Sequence, residues 1–391
     1  MDPWLRFRQD IRCTEDLTYF NVGTMGPMPI PIAERLLNLW DEWNTQGPGD
    51  PARYEAWHDR VEETRRTLAR VLALSDDRLL TLKQNVSAAL LFVLAQIRLA
   101  PGSHLITSDE EHPALLAPLM DLARRGHPVH VIRFSAEDML EQIRVILQGH
   151  SVGLIALSHV SHMTGRVVRA AELGRLARDH GVPLLLDGAQ ALAHVPLAEA
   201  VSAADFYIVN GQKWSLAPAG CAALVLAPGA VERLDLRWRG PGRGWHTQYP
   251  QNWEGGWDWV DPAQFESGTQ PWPLWAVWKD ALDYLEVFGW EQLFEHQHRM
   301  ARDLAAALAI VKGVELAATP DQGTATVAIR LSGWAPEALQ PALRSRGVVV
   351  RALGAPVRGI RLTVGAYNNE EDIRRAVDAV RDLAANGTLP S

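Results

Sequence analysis

Lysine is scarce in this chain, occurring only at Lys83, Lys213, Lys279 and Lys312, so chemistry that needs an amine has four candidates. Lys213 ends the apolar run DFYIVNGQKW (205–214), after a glycine and beside Trp214. Apolar surroundings disfavour an ammonium, which is what a Schiff-base amine requires. Lys279 and Lys312 lie in or just after amphipathic helical patterns, where solvated lysines are ordinary, and Lys83 follows a shorter strand. A lysine on a surface turn is the plain alternative reading for each. The neighbouring run VPLLLDGAQ (182–190) leads into Asp187, with Gln190 three residues on. Such a carboxylate can keep a pyridine nitrogen protonated and so strengthen the ring as an electron sink. An aspartate that only caps the next turn fits the same pattern equally.

Two further stretches have chemical potential. In LLTLKQNVSAALL (79–91) a strand passes through a short loop into a helix, with Ser87 as its natural N-cap. The free backbone N–H groups at that helix start suit a phosphate, although a simple cap explains the motif by itself. In SDEEHPALLAPL (108–119), His112 precedes a helix opened by Pro113. An imidazole there can lie flat on an aromatic ring, and it can equally cap the helix or face solvent.

The elements that must position these residues alternate. Strand-like runs at 79–82, 104–109, 129–134, 152–160, 182–189, 205–211 and 220–227 are separated by helical patterns such as 87–100, 113–126 and 171–181. Continuous apolar strands between helices predict a mostly parallel sheet covered on both faces, with chemistry at the strands' carboxyl ends. The segment 237–278 is rich in Gly, Pro and tryptophan, with Trp238, Trp245, Trp253, Trp257, Trp259, Trp272, Trp275 and Trp278. It shapes a pocket or a subunit surface, or else packs beneath a long loop. Helices over 274–289 and 290–308, strands over 324–331, 348–353 and 360–365, and helices near 336–346 and 370–384 make an α+β region.

Composition narrows the class. A chain of 391 residues, 47% hydrophobic and 21% charged, can bury a large core in two domains. The net charge of −8 speaks against nucleic acid or an anionic membrane as the main partner. No apolar stretch is long enough to span a bilayer, and the start MDPWLRFRQD lacks a signal-peptide core, so a cytoplasmic location is expected. Cys13 and Cys221 are too few for a disulfide framework or a cysteine metal site, and no metal is expected. The absence of a glycine-rich phosphate fingerprint disfavours a nucleotide-binding enzyme.

The set NVS (85–87), EEHPA (110–114), HVSHMTG (159–165), DGAQALAHVPL (187–197), ADFYIVNGQKW (204–214), FESGTQ (265–270) and IRLTVGAYN (360–368) resembles the class V aminotransferase family. These are fold-type I enzymes dependent on pyridoxal 5'-phosphate (PLP). They include cysteine desulfurases, cysteine and selenocysteine lyases, isopenicillin N epimerase-like proteins and transaminases. The resemblance extends from FNVGTMGPMP (20–29) to the C-terminal helix. It implies a large α/β domain with a mostly parallel seven-stranded sheet (31–285), a smaller α+β domain (286–391), and an N-terminal segment (1–30) packing on the site. It further implies that Lys213 carries the cofactor and moves the proton, that Asp187 pairs with the pyridine nitrogen, that Gln190 bonds the phenolic oxygen, and that His112 stacks on the ring. Val86, Ser87, Asn210 and Gln212 would hold the phosphate, and Thr269 would reach the cofactor of a partner subunit, implying a homodimer. Arg361 would grip the substrate α-carboxylate, with His162 and Asn21 on the substrate side.

Departures bear on the reaction. Gln212 stands where histidine is common, Asn210 where desulfurases carry serine, and His162 where they carry asparagine. Persulfide-forming desulfurases need a cysteine in the C-terminal domain, and the corresponding stretch RALGAPVRGIR (351–361) has none. The expectation is therefore an enzyme acting on an amino-acid-like substrate, leaning to a C–S (or C–Se) lyase without a catalytic cysteine. An aminotransferase or an epimerase, with His162 as second proton carrier, are the alternatives, and an inactive relative is opposed by the complete Lys213, Asp187 and Gln190 set.

Overall fold

The computed structural model describes residues 2–74, 80–237, 262–266, 268–320 and 323–386. The helices are α1 (Pro3–Gln9), α2 (Ile30–Thr45), α3 (Pro51–Val71), α4 (Val86–Leu94), α5 (Pro113–Arg124), α6 (Met139–Gly149), α7 (Ala170–Asp179), α8 (Ala198–Ala203), α9 (Trp272–Glu286), α10 (Trp290–Ala309), α11 (Pro336–Arg344) and α12 (Glu370–Asn386). The strands are β1 (Thr18–Tyr19), β2 (Leu80–Lys83), β3 (His104–Ser108), β4 (Val129–Ile132), β5 (Val152–Ser158), β6 (Leu184–Asp187), β7 (Phe206–Asn210), β8 (Ala222–Leu226), β9 (Val314–Ala318), β10 (Thr326–Leu331), β11 (Val348–Val349), β12 (Arg351–Leu353) and β13 (Gly359–Thr363).

Seven strands form one sheet in the order β2-β8-β7-β6-β5-β3-β4, parallel except for β8. Every residue of β6, β7 and β8 is buried, as helices on both faces require, which is why these strands read as unbroken apolar runs. A second, antiparallel sheet has the order β12-β13-β10-β9. A short parallel pair, β1 with β11, ties the chain's beginning to its C-terminal part.

Two apolar clusters flank the large sheet, and a third fills the C-terminal part. That third cluster also takes in Phe7, Phe20, Val22, Trp214 and Leu216, so the N-terminal segment and the lysine loop pack into the same core as β10, β13 and α12. Arg8 extends this tie, bonding Asp372 of α12 at 2.6 Å, where the carboxylate side chain is wholly buried.

Several elements differ from expectation. The helix expected over 87–100 begins at Val86 and ends at Leu94, because Ile97 leaves it to bridge Leu234 and the Arg98 N–H bonds Arg233. The edge strand β9 is mostly half-exposed and so carries no apolar run to reveal it. Of the tryptophan-rich segment, Trp238, Trp245, Trp253, Trp257 and Trp259 lie outside the described residues. Trp272, Trp275 and Trp278 lie on α9 and are buried in the main core beneath α2 and α3, which is ordinary packing.

Candidate active site

Parallel strands place their carboxyl ends together, and a cavity of about 220 Å³ opens there, lined by residues from β5, β6, β7, the start of α4, His112 and the N-terminal segment. Lys213, Asp187, Gln190, His112, His162, Val86, Ser87, Asn210 and Gln212 all line it, together with Thr24 from the N-terminal segment. Sequence reasoning thus identified most of one wall.

Lys213 follows β7 by three residues. Burial pushes its amine down to about 8, against the opposing pull of Asp187, while Arg361 adds to the lowering. The loop that carries it is fixed by Trp214, whose ring stacks on His194 at 3.6 Å and whose indole N–H donates to Gln190 Oε1 at 2.8 Å. The N-terminal segment is laid over the same loop, since the Gly26 N–H donates to the Gln212 carbonyl at 2.8 Å. A Cβ on Gly26 would come within 2.2 Å of the Lys213 carbonyl, so only glycine permits this approach.

Asp187 ends β6 with its carboxylate buried at 4% exposure, which raises its pKa; Lys213, the Ala189 N–H and His112 act in the other direction. Gln190 donates from Nε2 to the Gly23 carbonyl at 2.7 Å, leaving one amide proton for a ligand. Gln190 thereby joins the N-terminal segment to the lysine loop.

At α4, the N-cap is Asn85 and not Ser87: Asn85 Oδ1 accepts the Ala88 N–H at 2.8 Å. The cap falls two residues earlier because Asn85 is extended, whereas Val86 and Ser87 are already helical, with their own N–H groups at the open end. His112 caps α5 through Nδ1, accepting the Ala114 N–H at 3.1 Å, so its proton resides on Nε2. It is exposed, and burial of part of the ring together with Lys213 lowers its basicity, keeping it neutral.

Arg361 on β13 was expected to grip a carboxylate. It is 3% exposed, and its guanidinium donates to the His162 carbonyl at 2.5 Å, to Thr24 Oγ1 at 2.7 Å and weakly toward Asn21 Oδ1 at 3.5 Å. Its Nε is unpaired, and among the described residues no carboxylate forms an ion pair with it. Burial and Arg351 push it down to about 10. Asn21 is brought to it by a bridge to Thr363. His162 lies edge-on to His112 at 5.4 Å, has an unpaired Nδ1, and is pushed down to about 3 by burial and by Arg361.

Thr269 is not in this pocket. It is exposed on the loop that follows Glu266, next to a left-handed Gly268. Lys83, the other strand-end lysine, is also elsewhere, bonding the Phe265 carbonyl and lying 4.1 Å from the Phe92 ring centroid. Cys221 bonds the Leu274 carbonyl, and neither it nor Cys13 lines the cavity.

Sequence reasoning missed several supports. Thr24 anchors Arg361, a partner 337 positions away that no local pattern announces. Buried Glu111, pushed up to about 7 by burial, accepts the Ser108 and Ser158 hydroxyls at 2.5 Å each and the Ser158 N–H at 3.0 Å, clamping β3 to β5. Glu266 pairs with buried Arg65 at 2.7 Å and accepts the Leu82 N–H at 2.6 Å, which fixes the start of the loop carrying Thr269.

These residues fit PLP. An amine with depressed basicity faces a buried carboxylate, an unpaired Asn210 Nδ2 and the open N-terminus of α4 supply donors for a phosphate, and His112 stands at the cavity edge. Fold and site together define an α/β protein whose cavity at the strands' carboxyl ends holds a buried lysine of lowered basicity and a buried carboxylate.

Residues 20–376 match the profile of the aminotransferase class-V family, and the chain belongs to that PLP-dependent family. It is 24% identical over 397 residues to a probable cysteine desulfurase of Methanothermobacter thermautotrophicus, covering 97% of this chain and 98% of the relative. It is 27% identical over 401 residues to the isopenicillin N epimerase of Streptomyces clavuligerus, with the same coverage. Among solved structures, a C-DES variant with glycine covalently linked to its PLP cofactor aligns with a TM-score of 0.88 at 23% identity, covering 96% of this chain and 99% of that one. The complex of the cystine C–S lyase C-DES with cysteine persulfide aligns with a TM-score of 0.83 at 23% identity, covering 94% and 98%. The shared architecture is that of fold-type I, as the family resemblance implied.

Proposed function

We propose that this chain is a C–S (or C–Se) lyase that cleaves the β-substituent from an amino acid without forming a persulfide on a catalytic cysteine. The observation that carries this reading is Arg361, a buried cation with an unpaired Nε beside the Lys213 cavity and no carboxylate among the described residues. A buried charge without a partner is costly, and a substrate carboxylate supplies the partner. The only cysteines, Cys13 and Cys221, do not line the cavity, which supports release of the sulfur group without transfer to the protein.

When bound, PLP supplies an electron sink for the charge left as the substrate Cα–H is removed. In this reading Arg361 and Thr24 orient the α-carboxylate. Lys213, as the free amine, takes the Cα proton, and the Cβ–S bond breaks with its electron pair going to sulfur, which leaves protonated. Asp187 keeps the ring nitrogen protonated, while Asn210, Gln212 and the backbone at Val86 and Ser87 hold the phosphate. Thr269 on its exposed loop completes the site of a second subunit in a homodimer.

A second reading, epimerisation, is favoured by His162, whose unpaired Nδ1 lines the same cavity. As it stands, that imidazole is a poor base, with a pKa near about 3. A carboxylate on Arg361 would relieve part of that depression. The test is one screen of amino acids, cystine and cysteine included, in deuterated water. Pyruvate with a released thiol or persulfide supports the lyase. A solvent-labelled, inverted amino acid would replace it with the epimerase, and a keto acid formed against an amino acceptor would replace it with a transaminase.

A further inference from the structure

The parallel sheet has a second end. At the amino ends of β3, β4 and β5, opposite the lysine site, three histidines converge: His104 begins β3, His130 is the second residue of β4, and His150 lies two residues before β5. The cause is register. β3 pairs in parallel with both β4 and β5, with Ile106 opposite His130 and His104 opposite Val152, so the three strand beginnings are adjacent. The rings lie 4.3, 4.7 and 5.0 Å apart between centroids. One ligand nitrogen from each falls within 4.8 Å of the others, and His104 Nδ1 stands 2.8 Å from His130 Nε2.

We infer that His104, His130 and His150 form a binding site for one divalent first-row transition ion, with Zn²⁺ as the ion of choice. Nitrogens bound tetrahedrally to zinc at about 2.1 Å stand about 3.4 Å from one another, so small rotations of these side chains close the set. His104 and His130 are half-buried and held on strands, whereas His150 is exposed and provides the entry. Among the described residues the cluster contains no carboxylate or thiolate, which suits zinc, nickel or copper and not magnesium or calcium. Three protein ligands leave a fourth position to water, and the ion would pin edge strand β4 to the sheet.

The test uses untagged, cofactor-loaded protein stripped with a chelator and titrated with Co²⁺, then with Zn²⁺ against a chromophoric chelator. The expected result is one ion per chain, visible Co²⁺ bands typical of a low coordination number, and displacement by Zn²⁺. His104→Ala, His130→Ala and His150→Gln should each weaken binding at least tenfold while the cofactor absorbance per chain is unchanged, which shows that the variants fold. His127→Ala, a nearby histidine bonded to the Ser103 carbonyl, should leave binding intact. Failure of the wild-type protein to bind a stoichiometric ion would overturn the site. So would binding that survives all three substitutions, or a loss in His127→Ala as large as theirs.

Discussion

Arg361 has its guanidinium inside the protein with one nitrogen unpaired, an arrangement that disfavours the empty state and favours the occupied one. In the proposed role of Arg361, function opposes stability. Arg361→Met should therefore raise KM for a carboxylate substrate by about 100-fold or more, since a buried bidentate pair is lost. The same variant should melt within a few degrees of the parent, or above it, because the unpaired charge leaves with the side chain. An unchanged KM would move the carboxylate site elsewhere, Arg351 being the next candidate. At Lys213 the sign of the pH effect follows from burial. The amine is neutral above about 8 and charged below, so the rate at which apoprotein takes up PLP should rise through that pH and level off. A midpoint near the ordinary lysine value would refute the enclosure. Borohydride should then fix the cofactor on Lys213; an adduct on Lys83, whose basicity is also depressed to about 8, would reassign the site. Lys213 and Asp187 were legible because each ends an apolar run. Thr24 was not, since nothing local marks a threonine whose partner lies 337 residues away.

At the scale of elements, the loop after β7 owes its shape to Trp214 more than to Lys213. His194 is held against it by bonds from Nδ1 to the Gln190 carbonyl and from the Ala325 N–H to Nε2, so one indole touches groups from the loop after β6 and rests on a ring tied to the small sheet. Trp214→Ala should cost about 3–5 kcal/mol, as truncations of buried tryptophan do, and lower the melting temperature by several degrees. It should also weaken PLP binding, because Gln190 loses its orienting donor. Retention of full affinity after that destabilisation would show that the indole only fills space. The strands of the large sheet were readable because burial on both faces leaves an unbroken apolar run. α2 buries only Ile32 and Leu39, the buried face of α3 includes the polar Thr64, Arg65 and Thr67, and β9 is an edge, so none of the three stands out clearly as a pattern. The cap of α4 was misplaced from Asn85 to Ser87 because both residue types cap helices and only the backbone conformation distinguishes them.

At the scale of the molecule, exposed Thr269 and the ion pair that fixes the start of its loop, Arg65 with Glu266, make sense if a second subunit uses that loop. Sedimentation should show a dimer. Thr269→Ala should lower PLP affinity roughly tenfold, about the value of one hydrogen bond to a charged group. Mixing Lys213→Ala with Thr269→Ala chains should restore, in part of the population, a site with both wild-type residues. A monomer that loads PLP fully would end that reading. No helix among the described residues is long and apolar enough to cross a membrane.

The passage of residues 18–26 across the molecule has a consequence for biosynthesis. Thr18 and Phe20 bond residues 347 and 349, Gly23 bonds Thr363, and Gly26 bonds Gln212, so this early segment has no place to settle until nearly the whole chain exists. Such long sequence separations slow folding. The contact of Thr24 with Arg361 cannot form before translation has passed β13, so a nascent chain lacks that part of the cavity wall. Truncated products would therefore be expected to lack it too, whatever portion of the large sheet they manage to form.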